Sequence, residues 1–142
     1  MSSNDLIYMS AADIADKIKE KQISPVEVVK AYLDRIEAVD DKVNAFITVM
    51  ADEALEAARQ SEADVITGSI KGPLHGVPVG VKDQIYTEGI RTSSASKIRS
   101  DFVPNFDATV VKGLKRSGAI ILGKLTMTEF AMGAPITSSY GV

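Results

Sequence analysis

Val26, Val29, Leu33 and Ile36 recur at three- and four-residue intervals, which puts them on one face of a helix from Pro25 to about Ala38. Ile14 and Ile18 stand one turn apart in an earlier helix, so both segments should lie on something apolar. The polar positions mark where these helices begin. Ser10 with Asp13, and Ser24 with Glu27, have the spacing at which side chains satisfy orphan backbone donors, and Pro25 suits a first helical position. Asn44 to Met50 reads as a short strand. Ala51 to about Ala63 is alanine-rich and charged, the pattern of a surface helix with little burial.

Residues 67–76 are rich in turn formers and lead into a different rhythm. Val77 to Val81 has strand character. Asp107 is placed to cap a helix running to Ser117, which Gly118 stops, and Ala119 to Leu125 forms the next strand. Thr126 and Glu129 repeat the capping-box spacing ahead of another helix, ended by Gly133 and Pro135. Strand, long crossover and strand predict parallel pairing with a right-handed connection. The expected fold is therefore α/β: a helical layer (residues 1–66) packed on the start of a mixed, largely parallel sheet (residues 67–142). Thr87 to Asn105 shows weak periodicity and many hydroxyls, and a loop of that length is often functional.

Composition narrows the chemistry. The 142 residues, 45% hydrophobic and 25% charged, suffice for one compact domain with a core. A net charge of −3 with interspersed signs gives no electrostatic grip on nucleic acid or an anionic membrane, so a small-molecule substrate fits better. There is no cysteine, which excludes disulfides, thiolate catalysis and zinc–sulfur sites. The first residues lack the features of a signal peptide, and the longest aliphatic run, Ala119 to Leu122, is far short of the ~20 residues of a membrane span. A cytoplasmic location is expected. One histidine and scattered carboxylates make no metal-ligand set, and no cofactor is called for.

Among candidate groups, His75 lies in a Pro/Gly turn and would have to reach a serine on another element to build a triad, so it reads first as structural. Gly118-Ala-Ile-Ile-Leu-Gly123-Lys124-Leu125 approaches the phosphate-cradling spacing G-x-x-x-x-G-K-[ST]. Its middle is strand-like and Leu125 stands where a hydroxyl must hold magnesium, so it reads instead as a buried strand with Lys124 at its exposed end. Lys82 closes the apolar run Val77-Pro-Val-Gly-Val81. A lysine at a strand end can simply reach out to solvent. Yet the carboxyl end of a parallel strand is where α/β sheets place ligand crevices, and Thr92-Ser-Ser-Ala-Ser96 follows in the same loop region. Buried among hydroxyls, Lys82 would lose hydration, its pKa would fall from about 10.4, and its neutral amine would accept a proton.

The run Gly72-Pro-Leu-His-Gly-Val-Pro-Val-Gly-Val-Lys-Asp83, then Thr92–Ser96, Asp107-Ala-Thr-Val-Val111, Gly118-Ala119, Gly123-Lys124 and Glu129-Phe-Ala-Met-Gly133, resembles the N-terminal part of the amidase signature family. The resemblance covers roughly residues 8–142 and implies the N-terminal part of a single amidase domain. It further implies hydrolysis of a small amide through a Ser-cisSer-Lys triad, with Lys82 as the catalytic base and Met132 and Gly133 in the segment lining the substrate channel. Packing of Phe130 and Met132 into the core through a short helix is the alternative for that segment. Asp83 either orients the loop or the lysine or else caps the strand end, and Arg91 belongs either to the loop over the site or to the surface. In the family both serines sit in a Gly/Ser-rich signature. The chain has no G-G-S-S or D-T-G-G-S run, and Ser93, Ser94 and Ser96 do not correspond to the triad serines. It is therefore expected to be inert alone and, with an incomplete sheet, prone to self-association. Ser94-Ala95-Ser96-Lys97 and Glu129–Gly133 resemble the glutaminase component of glutamyl-tRNA amidotransferase, which works with partner subunits. Ala134-Pro-Ile-Thr-Ser-Ser139 is more similar to a stand-alone amidase, to which the balance leans. A non-catalytic α/β module binding a small ligand through Lys82 stays open.

Overall fold

The computed structural model describes residues 3–133. Helices α1 (Ser3–Ile7), α2 (Ala11–Lys19), α3 (Pro25–Val43) and α4 (Ala51–Thr67) precede most of the sheet, and strand β1 (Phe46–Val49) lies between the last two. Strand β2 (Pro78–Lys82), helix α5 (Thr109–Arg116) and strand β3 (Ile120–Leu125) follow. The caps predicted for α2 and α3 are present. Ser10 Oγ accepts from Asp13 N at 3.1 Å, and Ser24 with Glu27 forms a complete capping box. Helix α3 runs past Ala38 because nothing stops it until Asn44, which turns left-handed at φ 49° while the Asp40 carboxylate accepts from Ala45 N and Phe46 N.

The sheet order is β1-β3-β2, with β3 antiparallel to β1 and parallel to β2, so the long crossover pairs as expected. Two apolar layers flank it. Ile120 and Leu122 of β3 meet Val29 of α3 and Ala54 and Ala58 of α4 on one side, with Val26, Leu33 and Ile36 packed around them. Ile121 meets Val81, Met50 and Val111 of α5 on the other. Burial of one such aliphatic side chain is worth about 1.5–3 kcal/mol. Ile14 and Ile18 pack with Val28, Ala31, Val65 and Val77, which joins α2, α3, α4 and the entry to β2.

Three expectations fail here. Helix α4 is not a surface helix: Ala54, Ala58, Ser61 and Val65 form a buried stripe, and their small size lets α4 lie close against α3 and β3. The helix expected after Thr126 is a single 3₁₀ turn, Glu129–Ala131, with Phe130 at φ 50° and Ala131 at φ 57°. Glu129 does not close a capping box with Thr126, because its carboxylate accepts from Ser96 Oγ at 2.5 Å instead. Asp107 likewise does not cap α5; Ala108 holds that position, and the Asp107 carboxylate accepts from Glu88 N at 2.8 Å and Lys115 Nζ at 2.7 Å. Gly118 does stop α5, at φ 85°. Among the described residues, no helix is long and apolar enough to cross a membrane.

Candidate active site

Lys82 ends β2 opposite Leu125 of the central strand, at the carboxyl end of the parallel pair. The chain turns sharply after it. Asp83 is buried, and its Oδ2 accepts from Ser93 N at 3.1 Å, Ser93 Oγ at 2.6 Å and Ala95 N at 3.2 Å, while its carbonyl accepts from Ser94 N. Of the two roles open to Asp83, the structure therefore shows that of organising the loop. Three donors on one carboxylate hold Ser94 and Ala95 at φ 56° and 53°, a left-handed pair that side chains other than glycine adopt only under such constraint. Ser94 O accepts from Phe130 N at 3.0 Å, so the second left-handed pair docks on the first.

The burial expected of Lys82 belongs to another residue. Lys82 is exposed. Lys124, read from sequence as lying at an exposed strand end, has no exposed surface, and its Nζ donates to Ile85 O at 2.5 Å, Thr92 Oγ1 at 2.9 Å and Thr87 Oγ1 at 3.1 Å. Loss of hydration lowers its pKa from 10.5 to about 8, against the opposing attraction of the Asp83 and Asp107 carboxylates. The cause of its placement is a bulge. Val79 pairs with Ile121 but Gly80 pairs with Gly123, so β3 carries one extra residue there. Val79 and Val81 both pack on the α5 side, and that extra residue sets Lys124, three positions after Ile121, beside Val81 on the same side. Gly123 is required by the close passage of β1, since a Cβ there would lie 2.2 Å from Thr48 O. An isolated glycine inside a strand was the available signal for the bulge.

Other candidates separate cleanly. Met132 is 75% exposed and Gly133 is also exposed, at φ 98°; Phe130 is 41% exposed, so neither Met132 nor Phe130 enters the core. Arg91 Nη2 donates to Ile47 O at 3.0 Å and Thr48 Oγ1 at 3.1 Å, which ties the loop to β1. His75 is buried away from any serine hydroxyl in its hydrogen bonds. Its Nδ1 accepts from Lys71 N at 3.3 Å and its Nε2 faces Ser61 O at 3.0 Å, the neutral Nε2–H form in a structural role. Residues 120–125 are strand, so the phosphate-loop lookalike has no loop. A hollow of about 450 Å³ between α4 and the start of β3, lined among others by Glu53, Lys71 and Ile120, includes neither Lys82 nor Lys124. Ala134–Ser139 lies outside the described residues.

Comparison with known proteins fits this geometry. Over 135 residues the chain is 48% identical to the A subunit of the glutamyl-tRNA(Gln) amidotransferase of Carboxydothermus hydrogenoformans, covering 95% of the chain and 28% of that protein. The corresponding protein of Moorella thermoacetica is 47% identical over the same shares. The chain thus spans 28% of the length of these curated relatives. Among solved structures, the peptide amidase of Stenotrophomonas maltophilia matches with a TM-score of 0.81 and 32% identity, over 87% of this chain and 26% of that one. The profile of the family described as Amidase matches residues 27–141, and the chain belongs to that family.

Proposed function

We propose that this chain supplies the base for cleavage of a carbon–nitrogen bond in a small carboxamide. Lys82, as the neutral amine, takes a proton by way of a relay serine from a nucleophilic serine as that serine's oxygen attacks the amide carbon. The tetrahedral adduct then expels the amine, which leaves with a proton, and water or another nucleophile releases the acyl group. What carries this reading is the position of Lys82 at the carboxyl end of β2, next to the loop ordered by Asp83, within the matched region. Its exposed side chain leaves Lys82 free to meet the serines of the relay. Met132 and Gly133, exposed at the end of the loop-docked turn, are the proposed substrate contacts.

Identity of 47–48% to amidotransferase subunits favours glutamine as the amide, with the released ammonia passing to a partner protein. The test is ammonia release from L-glutamine by the protein expressed from its complete reading frame, with and without amidotransferase partner subunits. Activity that depends on the partners and is lost in Lys82→Ala supports the reading. Partner-independent hydrolysis of simple amides would instead select a stand-alone amidase. The exposure of Lys82 favours one further reading, a non-catalytic module that holds a small anion or amide through its ammonium. Unchanged amide turnover in Lys82→Ala would remove Lys82 from the chemistry altogether.

A further inference from the structure

Lys124 is the largest fully buried side chain among the described residues. An ammonium has three hydrogens, and three acceptors surround this one: Ile85 O, Thr87 Oγ1 and Thr92 Oγ1. The threonine hydroxyl hydrogens are directed elsewhere. Thr87 Oγ1 donates to Ile85 O at 3.2 Å and Thr92 Oγ1 to Ile90 O at 3.0 Å, so each oxygen faces Lys124 as an acceptor. The cage therefore matches a three-donor cation; a neutral amine would turn its lone pair toward an acceptor.

An apolar side chain of similar length would fill the same space without the cost of stripping water from a charge. The charge has a use that packing does not supply. It grips the loop at Ile85, Thr87 and Thr92, and the Asp83 carboxylate grips the same loop at Ser93 and Ala95. Both grips start beside Lys82: Lys124 pairs in register with Val81, and Asp83 is the next residue in the chain. The carboxylates acting on Lys124 are Asp83 and Asp107, and the second is already bonded to Lys115.

We propose that Lys124 is a positioning residue for the Lys82 site, its ammonium clamping the 85–92 segment to the central strand and balancing Asp83, so that the backbone from which Lys82 projects is fixed. This rests on Lys82 being the base. Loss of the clamp displaces Lys82 in the chemical step more than in substrate binding.

The experiment uses the protein from its complete reading frame, with its partner subunits, assayed on L-glutamine and on a p-nitroanilide across pH. Lys124→Met should lower kcat by about 10²-fold with KM changed less than about threefold. A Lys124→Met protein that melts like wild type and keeps its kcat would overturn the proposal while leaving Lys82 as base. Retained activity in Lys82→Ala, or a wild type inert on both substrates, would remove the reading of Lys82 and this proposal with it. If Lys124→Met does not fold, Thr92→Val serves, since it deletes one acceptor and no charge. It should lower kcat several-fold with little change in KM, and an unchanged kcat overturns the proposal.

Discussion

Raising the pH should stabilise the chain through Lys124. Burial lowers its pKa from 10.5 to about 8, although Asp83 and Asp107 pull the other way. Below about pH 8 folded and unfolded chains both carry the proton, and the folded state bears the whole cost of burying the charge. Between about 8 and 10.5 only the unfolded chain holds it, so the unfolded state binds more protons and stability rises with pH. Above 10.5 the cost is gone. At ~1.36 kcal/mol per unit, the drop from 10.5 to about 8 corresponds to about 3 kcal/mol. Lys124→Met keeps comparable reach and removes the titration, so subtracting its unfolding free energy from that of wild type at each pH cancels the other groups. Urea titrations from about pH 7 to about pH 10.5 should show wild type gaining about 3 kcal/mol on the variant. A difference that stays flat over that interval would refute the buried cation. A difference of opposite sign would mean that the hydroxyl cage solvates the ammonium better than water does.

Gly123→Ala should destabilise by about 3 kcal/mol or more, because the new Cβ would meet Thr48 O at 2.2 Å and β1 cannot retreat without breaking its ladder to β3; urea unfolding measures it, and a loss below about 1 kcal/mol would mean that the bulge is loose. Asp83→Ala strands the N–H groups of Ser93 and Ala95 and removes a counter-charge of Lys124, with an expected cost of about 3–5 kcal/mol and rapid amide exchange at Ser93 and Ala95. Protection at those two amides equal to wild type would contradict it. For Asp107, burial pushes the carboxyl up, but the hydrogen bonds from Lys115 and Glu88 N outweigh it and hold the pKa below the ordinary 3.8. Its stabilisation is thus present above about pH 3.8 and lost as pH falls below it, and acid titrations of wild type and Asp107→Asn should converge there.

The parts of the fold readable from sequence are those decided by neighbours along the chain. Ser24 caps α3 because Glu27 lies one turn on, and Ile14 with Ile18 must share a face because the helical period allows nothing else. Three of the departures share one cause: a partner far along the chain, not a neighbour, takes the side chain. Glu129 has capping spacing from Thr126, but its carboxylate binds Ser96, 33 residues earlier. Asp107 precedes a helix, but Lys115 and the Glu88 amide hold it. Lys124 is the sharpest case. Its two hydroxyl partners lie 37 and 32 residues earlier, and only the bulge at Gly123 brings its amine to their side of the sheet. The hydroxyl-rich loop was rightly connected with a lysine, but with the wrong one of two lysines in adjacent strands. That exchange bears on mechanism. The fold encloses Lys124 Nζ among three acceptors and leaves the Lys82 side chain exposed at the end of β2, which fits the proposed division of holding and proton transfer between them.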